Sequence, residues 1–393
     1  MTAISTAGRP TAEPSPDILI IGGGVIGTAT AYYLARAGMS VLLIERDSLA
    51  AGASGVAAGM LAPQVEAPFD DPFFNLTLLG RAEHPPLAAA LFEEVGLDVE
   101  YRPTGILRIA LDEADRAELQ RRLRWQSARG LRAEWLEPDR LGEREPLLAG
   151  AAGRLLAGGL WLPDEGQVRG TRLVQALAVA SVKRGARLRQ GEWAVSFETR
   201  GDRVVGVRTP RGLLKAATFV LAAGIWSRDL AGSLPLSLPV GPVKGQVLML
   251  RALHGAPRHI IWTGECYLVP KADGQVILGA TEEDGNYDAR PTLAGVGSLA
   301  EAALEHLPWA GSFTVEGMWA GLRPAAPDRY PIIGQAPGFA NLIIATAHFR
   351  NGILLGPLTG RWIADYIQTG AWTPELAAFS PARFLEPAHD GSV

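Results

Sequence analysis

DILIIGGGVIGTATAYYLARAGMSVLLIERD, residues 17–47, decides the fold class. Ile18 to Ile21 is a short apolar run of the kind that forms a buried strand. Gly22, Gly24 and Gly27 then set the spacing G-x-G-x-x-G at the start of a helix. The first glycine permits the tight turn, the second lets a pyrophosphate approach the backbone, and the third lets the helix pack on the strand. Ala31 keeps that contact close one turn later, and Gly38 closes the helix as a C′ glycine. Ser40 to Ile44 reads as the second strand, with Glu45 at its C-terminal end, where a carboxylate can accept both ribose hydroxyls of an adenosine. Val25, Ile26 and Arg46 are counted with these residues as cofactor-binding. A glycine-rich βαβ unit without a ligand would not need all these features in this order.

Outside this unit, composition sets limits. A chain of 393 residues exceeds one simple domain, so a large or interleaved pair of domains is expected. Hydrophobic residues make up 48% and charged residues 20%, which suits a large core. A net charge of −4 offers no electrostatic basis for binding nucleic acid or an anionic membrane. A single cysteine, Cys266, excludes an intrachain disulfide and fits a reducing cytoplasm. Ile18 to Ala35 is uncharged, but its glycines, threonines and tyrosines fit a strand and a buried helix better than a membrane span or signal segment. Residues 1–15 are rich in Pro, Thr and Ala and are expected to be disordered. No H-E-x-x-H, cysteine pair or histidine cluster offers a metal site, and no G-x-S-x-G offers a nucleophile.

The fingerprint leaves NAD and FAD open. Leu49 to Glu66, LAAGASGVAAGMLAPQVE, is small, glycine-rich and nearly uncharged. It reads as backbone laid against a flat cofactor, with Ala53, Ser54, Ala58, Gly59 and Met60 as contacts. A plain close-packed loop is the other reading. Near the C-terminus, HFRNGILLGPLTGRWIADYI (residues 348–367) opens an apolar helix with Arg350. A cation at the positive end of a helix dipole is disfavoured unless an anion faces it.

In order, GGGVIG, Glu45, GASGVAAGML, GLRPAAPD and HFRNGILL resemble the D-amino-acid-oxidase superfamily of flavoproteins, and within it most nearly the glycine oxidases of the thiamine pathway. The resemblance runs from about Asp17 to Ile367. It implies an α/β protein with α+β elements: a Rossmann-like FAD domain interleaved with a substrate domain on a mostly antiparallel sheet. The FAD domain would take residues 16–85, 155–230 and 319–375, the substrate domain 86–154 and 231–318, and 376–393 would be a tail. The FAD is expected to be non-covalent, because the cysteine that binds it covalently in some relatives is missing from GLRPAAPD.

The resemblance also implies the site. His348, Phe349, Asn351, Gly352, Ile353 and Leu354 would bring the last helix to the flavin, with Arg350 facing the flavin or the substrate carboxylate. Arg323 would clamp that carboxylate through its planar fork; pairing with Asp328 is the alternative. Tyr267, on a hairpin that turns at Lys271–Gly274, would hydrogen-bond the same carboxylate. Glu265 and Glu282 fall at variable pocket positions, Glu265 either touching a substrate amine or lying exposed. Lys244 reads as an edge-strand lysine. Glu192 to Phe197, with Ala194, is expected as a strand against adenine. Phe219 to Ser227 is expected to end beside the cofactor at Gly224. Helices are expected over Arg172–Arg184 and, as solvated cover, over Glu113–Arg129.

The implied activity is oxidative deamination of glycine, sarcosine or a small D-amino acid, with oxygen as acceptor and hydrogen peroxide as product. A thiazole-synthase partner, a homo-oligomer and a cytoplasmic location accompany it. A dehydrogenase passing electrons elsewhere, and a flavin-binding scaffold without catalysis, are the rival readings. The preferred amine, the acceptor and the oligomeric state stay open at this level.

Overall fold

The computed structural model describes residues 14–149, 156–253 and 255–385. The segment 1–13 of the expected disordered tail and residues 386–393 of the C-terminal tail lie outside the described residues. Ile18–Ile21 lies inside a six-stranded sheet. Val41–Glu45 and Arg187–Gln190 follow on one side; Thr218–Leu221, Leu342–Thr346 and Ile332–Gln335 follow on the other. All neighbours are parallel except the last pair. Ile18, Ile20, Val41 and Leu43 pack against the helices Val25–Arg36, Gly170–Lys183 and Gly352–Thr369. Leu19, Ile21, Leu42 and Ile44 pack on the opposite face with Phe197, Val204 and Val207 of a small three-stranded sheet. Both faces are covered, which is why these strands read as unbroken apolar runs.

A second sheet has nine strands. Its long member Gly241–Arg251 is flanked on one edge by Glu283–Asp284 and Gln275–Gly279, and on the other by Thr314–Ala325. The order then continues through Tyr267–Pro270, Ile260–Trp262, Ile106–Ala110, Gly158–Leu162 and Glu134–Leu136. Every pairing is antiparallel except that of Ile260–Trp262 with Ile106–Ala110. Mixed α/β architecture with one parallel and one mostly antiparallel sheet is therefore the observed fold.

Several expectations need correction. The boundary at 85/86 falls inside one helix, Pro72–Val95, which carries Pro85 and Pro86 without ending. Gly158–Leu162, expected with the FAD domain, is a strand of the second sheet, and the strand Thr314–Ala325 runs across the boundary at 318/319. Residues 376–385 are not a loose tail: Phe379 is fully buried against Phe73 and Tyr330. Lys244 is not on an edge, since its strand is paired on both sides. It is 1% exposed and pairs with Glu283 at 3.6 Å. Glu192–Val195 is not a strand; the strand begins at Ser196. The other two helices run Gly170–Lys183 and Glu113–Ala128, the second burying only Leu119 and Gln126. Among the described residues no helix is long and apolar enough to cross a membrane.

Helix Pro72–Val95 is braced to the last helix by His84, whose Nε2 meets the Leu354 carbonyl at 3.0 Å. The carbonyl can only accept, so Nε2 carries a proton and donates. Burial holds its pKa down at about 4. An unfolded histidine takes up a proton near pH 6.5, so below that pH the unfolded state gains stability that the folded state does not. Folding stability should fall as pH drops from 6.5 towards 4, by about 1 kcal/mol at pH 5.5 for this one group. His84→Gln keeps a donor but loses the titration. Thermal melts at pH 7.5 and 5.5 should show a smaller acid loss in the variant, by about 2 °C. Equal losses would mean that His84 titrates in the folded protein as it does in the unfolded chain, so that burial does not lower its pKa.

Candidate active site

One cavity of about 590 Å³ lies at the C-terminal ends of the parallel strands and against one face of the second sheet. That is where α/β sheets bind ligands, and the size suits a large one. Its floor is the glycine turn. Gly22 has φ +114°, and a Cβ there would meet the Ala222 carbonyl at 2.4 Å. A Cβ on Gly27 would lie 1.9 Å from the Gly22 carbonyl oxygen, so only glycine lets helix and strand come this close. A Cβ on Gly24 meets only Ser54 Oγ, at 3.2 Å. Gly24, Val25 and Ile26 line the cavity, and the Val25 amide donates to Ser54 Oγ at 3.0 Å. No acidic side chain occupies the first turn of this helix, so its positive end is open to a phosphate.

At the far end of the second strand, Glu45 accepts from the amides of Gly23 (2.6 Å) and Asp47 (2.8 Å). A carboxylate has about four acceptor positions, so two remain for ribose hydroxyls. Arg46 lies 4.2 Å over the Trp226 ring, and exposed Trp193 and Val195 form the rim beside Ala194. Ala53, Ser54, Ala58, Gly59 and Met60 line the middle of the cavity, and Gly224, at φ +56°, lines it from the turn that follows Thr218–Leu221. The turn after Leu342–Thr346 is strained: Ala347 and Phe349 both have positive φ, at 57° and 49°. It delivers His348, Phe349, Gly352 and Ile353 to the cavity wall. The helix from Gly352 has no side-chain cap from Asn351 and no acidic residue in its first turn, and Gly352 and Ile353 line the cavity, so the positive end of this helix suits a negative charge there. His348 is buried against Thr359 Oγ1 at 3.0 Å, and burial lowers its pKa to about 3, so it is neutral.

These features form a continuous dinucleotide cradle with a flat middle section, and they fit FAD. Three of the expected cofactor residues do not line the cavity. Gly27 acts through helix packing, Asn351 reaches Glu66 at 3.5 Å, and the Leu354 carbonyl is taken by His84.

The substrate end is built on the second sheet. Tyr267 lies across Gly279, where a Cβ would clash with its ring at 2.7 Å. Arg323 lies across Gly245, where a Cβ would overlap the guanidinium at 2.3 Å. Two glycines on neighbouring strands thus make room for the two expected carboxylate binders. Arg323 donates to the Thr281 carbonyl at 3.1 Å and has no carboxylate partner among the described residues. Asp328 pairs with Arg383 instead, at 2.8 Å. Burial lowers the Arg323 pKa and raises that of Tyr267, and each charge opposes the shift in the other. A mostly buried guanidinium without a counter-ion calls for an anion.

Arg350 differs. Its anions come from the chain itself: Glu66 at 3.4 Å and Glu282 at 3.6 Å. Glu66 in particular raises its pKa. The anion expected in front of this helix start is therefore Glu66 with Glu282. Glu265 pairs with His306 at 3.2 Å on the rim, its side chain 63% exposed. Cys266 is buried, with Sγ 3.6 Å from Thr263 Oγ1.

Sequence reasoning did not find Glu66 as a partner. Nor did it find Glu165, fully buried beneath it, which accepts from the amides of Gln64 (2.6 Å) and Val65 (3.2 Å) and lies 3.6 Å from Arg81. Lys271 was seen only as a turn residue. Its buried ammonium ties the Ala58 carbonyl (2.7 Å) to Gln167 Oε1 (2.8 Å), fixing the cofactor loop to the substrate hairpin. An apolar strand ending in Lys before a turn gives no sign of that. Among the described residues no cluster of His, Cys, Asp or Glu is placed to hold a metal.

Residues 17–366 match the DAO family, described as FAD dependent oxidoreductase. The chain is 36% identical to the glycine oxidase of Geobacillus kaustophilus over 94% of its own length and 97% of that protein. It is 33% identical to the Pseudomonas aeruginosa glycine oxidase over 94% and 99%. The bifunctional protein ThiO/ThiG of Synechocystis is 35% identical over 95% of this chain, which spans 55% of that longer protein. The crystal structure of the Geobacillus kaustophilus glycine oxidase superposes with a TM-score of 0.89 at 34% identity, covering 95% of this chain and all of that one.

Proposed function

We propose, from the premise that this chain belongs to the DAO family of FAD-dependent oxidoreductases, that it oxidises glycine or a similarly small amine-bearing acid. Oxygen is the proposed acceptor, and the product is the imine, which hydrolyses to the oxo acid. The observation that carries the reading is Arg323: a largely buried guanidinium with no carboxylate partner among the described residues, spread over Gly245 beside Tyr267. Bound FAD supplies the two-electron acceptor for the carbon–nitrogen bond. Arg323 and Tyr267 hold the substrate carboxylate, one by its fork and the other by its hydroxyl. Holding it there sets the α-carbon towards the cofactor half of the cavity, and positioning of this kind supplies much of the rate. Burial keeps Tyr267 protonated, so it donates rather than repels. Arg350, already neutralised by Glu66 and Glu282, shapes the pocket wall and leaves Arg323 as the carboxylate site.

Relatives named as ThiO/ThiG fusions support a place beside a thiazole synthase that consumes the imine. The test is an anaerobic visible spectrum of the purified protein before and after glycine. Bleaching of the oxidised flavin band, and its return on admitting air, is the expected result. Bleaching without return would give the acceptor role to something other than oxygen. No bleaching with glycine, sarcosine or D-alanine would end the reading.

A further inference from the structure

Among the described residues Arg323 is not alone in lacking a carboxylate partner. Arg108, on the strand Ile106–Ala110, makes no ion pair among the described residues, and its Nε is buried without a hydrogen-bond partner. The nearest acids are engaged elsewhere. Glu118 pairs with Arg122 at 2.5 Å and Arg121 at 3.5 Å, and Asp115 accepts from the Leu111 amide at 3.0 Å. Burial and Arg122 together lower its pKa to about 10, which still leaves it charged at neutral pH.

Its place is set by strand register. Arg108 lies opposite Trp262, and Trp262 opposite Tyr267, so the three share one face of the sheet. That face is the one turned to the cavity: Ile106 and Ala110, either side of Arg108, pack in one cluster with Trp262, Tyr267 and Trp319. Two strand spacings put Arg108 about 10 Å from Tyr267. The guanidinium is 5.8 Å from the Trp262 ring centre, and a Cβ on Gly264 would come within 2.9 Å of its Nη2. Trp262 and Gly264 both line the cavity. Arg350 approaches the same indole at 5.4 Å, but it has its own two carboxylates.

We propose that Arg108 is the anion-recognising group of a second subsite at the Trp262–Gly264 rim, taking the second carboxylate of a dicarboxylic ligand whose first carboxylate is held by Arg323. The inference rests on the carboxylate role of Arg323. The ligand class is a small dicarboxylate, including amino acids that carry a second acidic group. The test uses the FAD-loaded protein and two five-carbon probes, glutarate and pentanoate, titrated by the shift each causes in the flavin band. In the unsubstituted protein glutarate should bind about tenfold tighter than pentanoate, the worth of one hydrogen bond to a charged group. Arg108→Met should bring that ratio close to one, and Arg108→Lys should restore part of it. A ratio near one in the unsubstituted protein, or a ratio unchanged in Arg108→Met, would overturn the subsite while leaving Arg323 in place. If neither acid shifts the band, the carboxylate role of Arg323 fails first and the subsite with it.

Discussion

Arg323→Met should lower kcat/KM for glycine by between about thirtyfold and a few thousandfold. Truncating one member of a desolvated, hydrogen-bonded charge pair costs about 2–5 kcal/mol. The site is desolvated here, because burial pulls the Arg323 pKa down and, among the described residues, its partners are the Thr281 carbonyl and Tyr267 rather than a carboxylate. Methionine keeps most of the volume over Gly245, so the sheet should survive. FAD content should also survive, since the glycine turn and Glu45 lie at the other end of the cavity. Two measurements separate a lost clamp from general damage. Acetate binding, followed by the flavin spectrum, should weaken in the same proportion as glycine turnover. Turnover of a simple amine without a carboxylate, however slow, should be unchanged. An Arg323→Met protein that oxidised glycine normally would move the clamp to Arg350 and require Glu66 and Glu282 to release it.

How much of this was legible in the sequence follows from how far apart the interacting residues are. The turn at Gly22–Gly27 and the strand Ile18–Ile21 are local, and each residue's job is fixed by neighbours a few positions away. The hairpin turning at Lys271–Gly274 is local too, and its strands stop at Pro270 and resume at Gln275 as expected. Site chemistry is different. Glu66 and Arg350 meet only because a short helix after the cofactor loop is set down opposite the last helix. Glu165 holds that short helix from 101 positions away. A charge in a strand looks the same in sequence whether its neighbour is solvent or another strand, which is why Lys244 read as an edge residue and proved to be interior. Gly245 and Gly279 show the same limit. Nothing local asks for glycine there; the requirement comes from Arg323 and Tyr267 lying across from adjacent strands.

The glycines of the turn allow folding and cofactor binding to be separated. Gly27→Ala should damage both. Its Cβ would stand 1.9 Å from the Gly22 carbonyl oxygen, a backbone atom that no rotamer change can move. Gly22 has little room to retreat, because its amide donates to the Ile44 carbonyl at 2.9 Å and the Ala222 carbonyl stands where its Cβ would be. Helix Val25–Arg36 must therefore lift off the sheet, at an overpacking cost of about 1–3 kcal/mol or more. Alanine's better helix propensity returns only about 0.5–1 kcal/mol of that. The displaced helix end would no longer present its amides to the phosphates, so the stabilisation linked to bound FAD is lost as well. The protein should be purified colourless, with a melting temperature several degrees lower that added FAD does not restore. Gly24→Ala is the contrast. There the Cβ meets only Ser54 Oγ, at 3.2 Å, and otherwise points towards the cradle. That variant should fold with a near-normal melt without cofactor, yet need much more FAD to turn yellow. If the two variants behaved alike, the division of labour within G-x-G-x-x-G would not hold for this chain, and the cavity floor would not be the pyrophosphate site.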